Sequence, residues 1–370
     1  MKLLIIARPF VFHGGVERAT AGLLHALVEH GYDVHLLSPR GRQAMPGVTH
    51  HPLLLPPLPS TARVLALAAA ARLAVARSSW DVVQSHERTL RQDVYRAGEG
   101  CHRAYLASLD DRPRARAVYH RIVLALERRV FAVTPAIVAI ARRGAGEIAS
   151  LYGVAPTRIS VVYNGVDLDR FHPRNRTLHR AAARAEAGIS AEAFALLFIG
   201  NGFERKGLAT LLEALARVPE PTRRLIVIGK GDRRPFDAQA ARLGLVDRLV
   251  WLGLRPDAER WYAAADVVAL PSRYEPFGNV HLEALASGVP VVASAAAGGA
   301  EVIQEGLNGA IVDPRDSAAL AAALEGLRGR QQSPLAEAAR RSAEPFTFAA
   351  QVAGFARIYR SVKRATCDFP

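Results

Sequence analysis

Cysteine is scarce in this sequence and long apolar runs are missing, and both shortages exclude classes of protein. Only Cys101 and Cys367 occur among 370 residues, too few for a disulfide framework and without the spacing of a zinc site. The longest apolar run of the first third, 64–71, ends at Arg72, whereas a membrane-spanning helix needs about 20 residues. The opening MKLLIIARPF indicates a first strand rather than a signal peptide. We therefore expect a cytoplasmic protein without a membrane span.

Acidic residues are outnumbered by basic ones, 34 to 48, which gives a net charge of +14. Through Arg170 the chain carries 22 basic and 13 acidic residues, so the excess is concentrated in the first half. This balance favours an anionic partner such as nucleic acid, a phosphosugar or an acidic membrane surface, although a base-composition bias toward arginine explains it equally simply. Because no basic patch is interleaved with aromatic residues, we expect no nucleic-acid partner.

Hydrophobic residues make up 50% of the chain, enough for two cores at this length. Strand-type apolar runs alternate with amphipathic helical stretches, which predicts an α/β fold of two doubly wound domains with mainly parallel sheets. Turn chemistry in 165–185 places the domain boundary there, with an amino-terminal domain in residues 1–170, a carboxy-terminal domain in residues 171–345 and a terminal helical segment in residues 346–370. Ligands bind beyond the carboxyl ends of strands in such sheets, so we expect a site in the cleft between the domains.

Short apolar runs define the predicted strands. In the first domain they are Leu3–Ala7, Val34–Leu37, Trp80–Gln84, Ile137–Ile140 and Ile159–Tyr163. In the second domain they are Ala195–Ile199, Leu225–Ile228, Leu249–Leu252, Val267–Leu270, Val289–Ala293 and Gly309–Val312. Four prolines in His51–Ser60 predict an irregular loop, and the apolar periodicity of Phe346–Arg364 predicts a long helix.

The most informative motif is Pro271–Pro290, with the sequence PSRYEPFGNVHLEALASGVP. It follows a predicted strand and opens a helix near Gly278, with Glu275 in the turn before that helix and Glu283 about one turn inside it. Backbone N–H groups at a helix start form an anion site, and two flanking carboxylates suit sugar hydroxyls. Glutamates also occur at helix starts because of the helix dipole, but Pro276 and Gly278 make this turn specific.

A second motif, IGNGFERKG at residues 199–207, lies directly after a predicted strand. Its glycines permit a sharp turn, and Arg205 and Lys206 direct two cations toward the end of that strand. Arginine offers a bidentate fork and lysine a compact charge, a pairing that suits a pyrophosphate. The motif matches neither a dinucleotide fingerprint nor a P-loop, and surface charge is the competing interpretation. Its position at a strand end favours a function.

Gly14 and Gly15 lie between the first strand and the first long helix. Glycine amides at such a turn can approach a phosphate or a sugar. A tight turn from strand to helix also needs glycine without any ligand, so both interpretations stay open.

Three motifs of the chain together resemble those of glycosyltransferase family 4, and the resemblance covers essentially the whole length. They are Glu275-x7-Glu283, Arg205-Lys206 and VYNGVD at residues 162–167. The resemblance implies a retaining, sugar-nucleotide-dependent transferase of the GT-B fold, with the terminal helix returning to the amino-terminal domain. Residues 92–101 and 200–207 are more narrowly similar to the transferases that add glucose to a heptose of the lipopolysaccharide core.

The resemblance implies a donor site in the second domain. Arg205 and Lys206 would bind the donor diphosphate and compensate the charge of the leaving group, and Glu275 would contact the donor sugar near the reacting carbon. Glu283 would hold the ribose hydroxyls. The remaining donor contacts would come from Phe277, Gly278, Asn279, Arg255, Gly14 and Gly15.

The resemblance also suggests residues on the acceptor side. Glu99 is the candidate acceptor-binding or catalytic carboxylate. His86 falls where many members place an active-site histidine, with a surface-loop histidine as an equal alternative. Asp167-Leu-Asp169 has the spacing of a metal motif of another transferase fold, but it lies between the domains and matches the family's linker. We expect no metal and no cofactor, because the cations and helix dipoles already supply positive charge.

The expected reaction is transfer of glucose from UDP-glucose to a heptose hydroxyl of lipid A–core with retained configuration. Mannose, galactose, N-acetylhexosamine or heptose donors and other glycolipid or polysaccharide acceptors stay open, as do a sugar-nucleotide 2-epimerase and a nucleic-acid-binding protein. The basic first half fits peripheral contact with the anionic cytoplasmic face of the inner membrane, although a solvated helix face explains it as well. The candidate contacts are Arg112, Arg114, Arg116, Arg121, Arg128 and Arg129.

Overall fold

The computed structural model describes residues 1–8, 15–39, 45–110, 117–218, 222–328 and 332–363. Within these ranges most strands are followed by a helix, and two pairs of strands follow each other without one. The strands are β1 (Lys2–Ile6), β2 (Asp33–Pro39), β3 (Val48–Leu53), β4 (Val82–Ser85), β5 (Val94–Ala97), β6 (Ala136–Ala139), β7 (Ile159–Val161), β8 (Phe194–Ile199), β9 (Arg223–Ile228), β10 (Leu249–Gly253), β11 (Val267–Leu270), β12 (Val291–Ser294) and β13 (Gly309–Val312).

The helices connect the strands and cover the sheets. They are α1 (Gly15–Glu29), α2 (Ser60–Ala76), α3 (His102–Ala107), α4 (Ala117–Val133), α5 (Arg142–Tyr152), α6 (Arg174–Glu186), α7 (Leu208–Ala216), α8 (Arg234–Arg242), α9 (Ala258–Ala264), α10 (Asn279–Ala286), α11 (Ser317–Arg328), α12 (Gln332–Ala343) and α13 (Phe348–Val362). None of the helices in the described part of the chain has the length and hydropathy needed to span a membrane.

The chain divides into two compact units, each built on one parallel sheet. The first unit follows the chain to Gly165, except for Gly15, and resumes at Phe348, and the second unit comprises Val166–Thr347 together with Gly15. The first sheet has the strand order β3-β2-β1-β4-β5-β6-β7, and the second has the order β10-β9-β8-β11-β12-β13. All pairs in both sheets are parallel, so the α/β fold of two doubly wound, Rossmann-like domains is confirmed.

The core of the first unit follows from the alternation of side chains along its central strand. Leu3 and Ile5 of β1 face a cluster with α1 and α13, whereas Leu4 and Ile6 face a cluster with α2. Successive side chains of a strand point to opposite faces, and all four are buried. A strand buried on both faces reads as a continuous apolar run, which is why KLLII predicted β1 so directly.

The terminal helix belongs to the first unit, as the family resemblance implies. Val352, Phe355, Ile358 and Tyr359 of α13 recur at helical spacing and are buried in the cluster formed by β1 and α1. The chain therefore leaves the first unit, builds the second and returns to complete the core of the first.

Two strands of the first sheet were missed by the sequence analysis. The irregular loop predicted for His51–Ser60 is wrong in its first part, because β3 runs to Leu53. β3 is an edge strand. Proline is tolerated there because its missing N–H group is not needed for a hydrogen bond on the open side of the strand. β5 was missed because it contains a buried Arg96, which interrupts the apolar pattern.

Candidate active site

The strand order of the second unit determines where its polar loops converge. β8 pairs with β9 on one side and with β11 on the other, so the crossovers leave β8 in opposite directions and open a crevice at the carboxyl ends of β8 and β11. Arg205 and Lys206 follow β8, and Glu275 follows β11. The topology therefore brings the two most informative sequence motifs to the same switch point.

Arg205, Lys206 and Glu275 form one ion cluster at this point, called here the second-unit cluster. Lys206 Nζ donates to Glu275 Oε2 at 2.8 Å, and Arg205 Nη1 donates to the same oxygen at 3.1 Å and to the Tyr274 carbonyl at 2.7 Å. The side chains of Lys206 and Glu275 are only 8% and 13% exposed. Two cations share one carboxylate here, which leaves the cluster with positive charge to offer a ligand.

The charge state of Glu275 follows from these contacts. Burial by itself would raise the pKa of this carboxyl, but the Lys206 ammonium and the Arg205 guanidinium outweigh it and lower the pKa from 4.5 to about 2. Glu275 is therefore ionised at neutral pH and acts as a hydrogen-bond acceptor, not as a proton donor.

Two glycines permit the close approach of these loops. Gly207 precedes α7 with a φ of +78°, and a Cβ there would collide with the carbonyl oxygen of Pro271. Gly278 precedes α10 with a φ of +85°, and a Cβ there would collide with the ring of His281. Both positions thus require a residue without a side chain in a left-handed conformation.

The start of α10 is confirmed where the sequence predicts it. Gly278 is the cap residue and provides no side-chain cap, Asn279 is the first helical residue, and Glu283 lies one turn inside. Phe277 is buried, and its carbonyl accepts a 2.7 Å hydrogen bond from the Gly299 amide. Glu283 is largely buried and accepts a 2.7 Å hydrogen bond from the Tyr262 hydroxyl. The proposed ribose and phosphate contacts of these residues stay predictions.

Arg255 lies at the same edge of the second sheet but farther from the switch point. It follows β10, two strands from β8, a lateral separation of about 10 Å. Its guanidinium forms a 2.8 Å ion pair with Glu186 and lies over the Trp261 ring, 5.2 Å from the centroid. Its contact with a nucleotide base stays a prediction.

The first unit has its own switch point between β1 and β4, because β1 pairs with β2 on one side and β4 on the other. Charged residues gather there as well. Arg8 Nε donates to Glu87 at 2.9 Å and Arg8 Nη2 to Glu99 at 2.5 Å, and Arg88 pairs with the other oxygen of Glu99 at 3.0 Å. Arg88 also donates to Glu127 at 3.1 Å. These five residues are the first-unit cluster.

The pKa values of Glu99 and Glu87 in the first-unit cluster are shifted in opposite directions. Burial would raise the pKa of Glu99, but Arg8 and Arg88 lower it from 4.5 to about 2. Burial raises the pKa of Glu87. The negative charge of Glu99 raises this pKa further, and the positive charge of Arg8 offsets part of the increase. Because Glu99 holds its proton so weakly, it is a poor general base at neutral pH. The geometry favours Glu99 as a positioning carboxylate.

Glu127 is a buried anchor that the sequence analysis missed. It is fully buried and accepts hydrogen bonds from Arg88, from the amides of His102 and Arg103 and from the Tyr152 hydroxyl. The signal was one glutamate on the apolar face of α4, since a charged residue there needs partners inside the protein.

His86 follows β4, as the sequence predicts, but it is not on the surface. It is 6% exposed, and both ring nitrogens have partners, Gln84 Nε2 at 2.7 Å and Thr20 Oγ1 at 3.3 Å. Burial, with the nearby charges of Arg96 and Arg8, lowers the pKa of His86 well below 6.5, so the ring is neutral. The surface-loop alternative for His86 is therefore wrong.

The remaining predicted contacts lie near the start of α1. Gly15 is the first residue of that helix, and Gly14 lies outside the described residues.

At the linker, Asp167 Oδ1 accepts hydrogen bonds from the amides of Asp169 and Arg170 at 3.1 and 2.9 Å. This is the turn chemistry that favours aspartate in such a position.

Comparison with protein-family models gives two matches along the chain. A model described as Glycosyltransferase Family 4 matches residues 13–170, and a model described as Glycosyl transferases group 1 matches residues 193–329. The two matches cover the chain on both sides of the linker.

Similar curated proteins carry one recurring name. A D-inositol 3-phosphate glycosyltransferase of Xylanimonas cellulosilytica is 37% identical over 63% of this chain and 58% of its own length, and that of Geodermatophilus obscurus is 36% identical over 74% and 60%. D-inositol 3-phosphate glycosyltransferase 2 of Catenulispora acidiphila is 33% identical over 78% of this chain and 68% of its own length. The chain thus spans about 60% of the length of the first two relatives.

Similar solved structures extend over both units. WaaG, a glycosyltransferase involved in lipopolysaccharide biosynthesis, aligns with a TM-score of 0.82 and 24% identity over 96% of this chain and 99% of that one. Anabaena Alr3699/HepE in complex with UDP and glucose aligns with a TM-score of 0.77 and 21% identity over 99% and 100%. At these identities the likeness shows the fold, which is GT-B.

Proposed function

This chain belongs to glycosyltransferase family 4, and we propose that it transfers a hexose from a UDP-sugar to a hydroxyl of a phosphate-bearing acceptor with retained configuration. Glucose and a heptose of the lipopolysaccharide inner core are the donor sugar and acceptor to test first. The observation that carries the proposal is the second-unit cluster, in which Arg205 and Lys206 converge on Glu275 at a topological switch point.

The donor would replace a contact that the cluster now makes within the protein. Diphosphate oxygens would accept the hydrogen bonds that Arg205 and Lys206 now donate to Glu275. A guanidinium that donates twice and a compact ammonium group together match the two negative charges of the leaving diphosphate. The Glu275 carboxylate would then accept from hydroxyls of the transferred sugar. Support for this donor class comes from HepE, whose structure contains UDP and glucose.

Catalysis would rest on charge stabilisation of the departing UDP. Two cations held in place before the reaction stabilise negative charge as it develops on the leaving oxygen. In the first unit Glu99, with a pKa of about 2, is a poor proton acceptor. The leaving phosphate oxygen is then the group that takes the acceptor proton, by front-face attack, and the proposal needs no metal or cofactor.

Two acceptors are supported by different observations. The likeness to WaaG over 99% of its chain, together with the sequence resemblance of residues 92–101, favours a heptose of lipopolysaccharide. The names of the curated relatives favour inositol 3-phosphate, although this chain spans only about 60% of the first of them. Inositol 3-phosphate bears a phosphate group, which suits a basic chain.

Peripheral membrane contact is part of the proposal for a glycolipid acceptor. Arg121, Arg128 and Arg129 are exposed on α4, where they can meet anionic lipid, while Arg112, Arg114 and Arg116 lie outside the described residues. Sedimentation with anionic and neutral vesicles at low and high salt tests this contact, which should weaken with salt.

A product assay tests the function directly. Purified protein is incubated with each of several UDP- and GDP-sugars plus either heptose-terminated lipid A–core or inositol 3-phosphate, and products are identified by mass spectrometry. The expected result is a hexosylated core, with the α anomer established by NMR. Hexosylated inositol phosphate would overturn the heptose acceptor, a β anomer would overturn retention, and no transfer from any UDP-sugar would overturn the donor.

A further inference from the structure

An open surface pocket of about 330 Å³ in the first unit, called here the cavity, is lined by three exposed arginines. Its lining residues are Arg72, Leu90, Arg91, Arg129 and Val133. The arginines come from three separate segments: Arg72 from α2, Arg91 from the connection between β4 and β5, and Arg129 from α4. Gln92 Nε2 donates to Thr134 Oγ1 at 2.7 Å, which fixes that connection against the end of α4. The cations are therefore brought together by tertiary structure.

These arginines lack a counter-charge in the described part of the chain. Among the described residues none of the three forms an ion pair or a side-chain hydrogen bond, and no acidic residue lines the cavity. The arginines of α6 in the second unit behave differently, since Arg180 and Arg184 bond to Asp266 at 2.6 and 2.7 Å. Arginine remains protonated at any physiological pH, so the cavity concentrates three uncompensated positive charges.

The cavity lies away from the first-unit cluster. α2 and α4 each return the chain to the amino end of the next strand, and Arg72 and Arg129 stand about one turn before these helix ends. Arg91 precedes β5 by three residues. The cavity is therefore at the amino edge of the sheet, whereas Arg8 and Glu99 lie beyond the carboxyl ends of β1 and β5.

We propose that this cavity is a binding site for a phosphate group, separate from the site of sugar transfer. Guanidinium forks match the oxygen geometry of phosphate, and three of them on one anion would relieve their mutual repulsion. Leu90 and Val133 add an apolar surface beside the charges, which suits a phosphate attached to an organic group. The phosphate comes either from a free phosphorylated solute or from an anionic lipid headgroup.

The test uses paired arginine substitutions that change the net charge equally. Arg72→Gln with Arg129→Gln alters the cavity, and Arg63→Gln with Arg357→Gln alters exposed helical positions of the same unit that neither line it nor belong to the proposed membrane contact. Orthophosphate is titrated into the full-length protein and each variant by calorimetry, with thermal unfolding in phosphate-free buffer to verify folding. We expect saturable binding that is about tenfold weaker in the cavity variant and within about twofold of the original in the matched variant.

A second probe identifies the source of the phosphate. Vesicles of phosphatidylcholine with or without phosphatidylglycerol are sedimented with the same proteins at constant salt. If only the cavity variant loses binding to anionic vesicles, the site binds a lipid headgroup. If both variants bind vesicles equally but still differ in their affinity for orthophosphate, the site binds a solute. A single Arg91→Gln variant, placed outside any helix, should reproduce the cavity result.

Two outcomes overturn the proposal: no saturable orthophosphate binding and no anionic-vesicle binding by the original protein, or equal effects of the cavity and matched variants on both probes. Lys206→Ala separates this site from the donor site, because it should weaken UDP binding and leave the difference between the paired variants intact. Failure of UDP to bind at all would contradict the proposed function without bearing on the cavity.

Discussion

The two units place charged side chains at equivalent points of their sheets but balance them differently. In the first-unit cluster, Arg8 and Arg88 form ion pairs with the three carboxylates of Glu87, Glu99 and Glu127. In the second-unit cluster, Arg205 and Lys206 share the single carboxylate of Glu275. Topology thus decides where a ligand can bind, and the local charge balance decides which ligand it can be.

Under the proposed function, this difference corresponds to a division of roles. A cluster with surplus positive charge suits a diphosphate. The ligand can take the place of the carboxylate that the two cations share, so that neither cation is left unpaired. A cluster whose cations are already compensated suits neutral hydroxyl groups, which hydrogen-bond to ionised carboxylates without adding charge. The comparison supports donor binding by the second unit and acceptor binding by the first.

The largest expected effect is from removing a cation of the second-unit cluster. Lys206→Met should lower kcat by about 100-fold or more, because a charge that stabilises the leaving group is lost, and it should weaken UDP binding. Steady-state kinetics and calorimetry measure the two effects. Lys363→Met, at an exposed position beyond α13, is the matched control. Kinetics close to those of the original protein would contradict the role of Lys206.

Removing the buried anchor of the first-unit cluster should affect stability instead. Glu127→Gln should lower the free energy of unfolding by about 3 kcal/mol, because Arg88 loses a fully buried counter-charge. Urea denaturation measures this, with the exposed Glu213→Gln as the control. UDP affinity should stay unchanged. A loss of UDP affinity without a loss of stability would break the comparison between the two clusters.

Neutralising one carboxylate in each unit sharpens the comparison. Glu275→Gln should tighten UDP binding by roughly fivefold, about 1 kcal/mol, because the carboxylate no longer competes for Arg205 and Lys206. It should also lower kcat, since a sugar contact is lost. Glu99→Gln should leave UDP affinity unchanged. Calorimetry on both variants decides, and equal effects would mean that the clusters are not functionally distinct.

The smallest effect is expected in the acid range. Glu99 and Glu275 have a pKa of about 2 in the folded protein and 4.5 as the unperturbed value, so the stability that they contribute is present above pH 4.5 and is lost as the pH falls toward 2. Thermal unfolding across this range should show a shallower decline in Glu99→Gln and Glu275→Gln. An identical pH dependence in the variants would contradict the assigned pKa values.

Much of the fold could be read from the sequence because parallel strands buried on both faces are continuous apolar runs. β1, β8 and β11 are of this kind, and the turn into α10 was predictable from Gly278. β5 could not be read in this way, because Arg96 is accommodated by Gly98 and by a 2.6 Å bond to Asn164. Asn164 is 68 residues away in the chain, so no local pattern reports it.

The positions of Arg205, Lys206 and Glu275 were predictable because each lies in a loop that follows a strand, and the carboxyl ends of parallel strands meet at one edge. The acceptor side was harder. Glu99 was a candidate, but Arg8, Glu87, Arg88 and Glu127 were not, because charged residues after a strand or on a helix are usually solvated. Only their mutual contacts distinguish them.

The chain's order of apolar runs, glycines and paired motifs determined two parallel α/β units and the loops that carry the second-unit cluster, because these features depend on neighbours within a few residues. The tertiary structure alone decided which charges are compensated: Arg88 by Glu127, Arg184 by Asp266, and none for Arg72, Arg91 and Arg129 within the described residues. Charge compensation depends on distances of a few ångströms between residues far apart in the chain, and a linear sequence does not contain those distances.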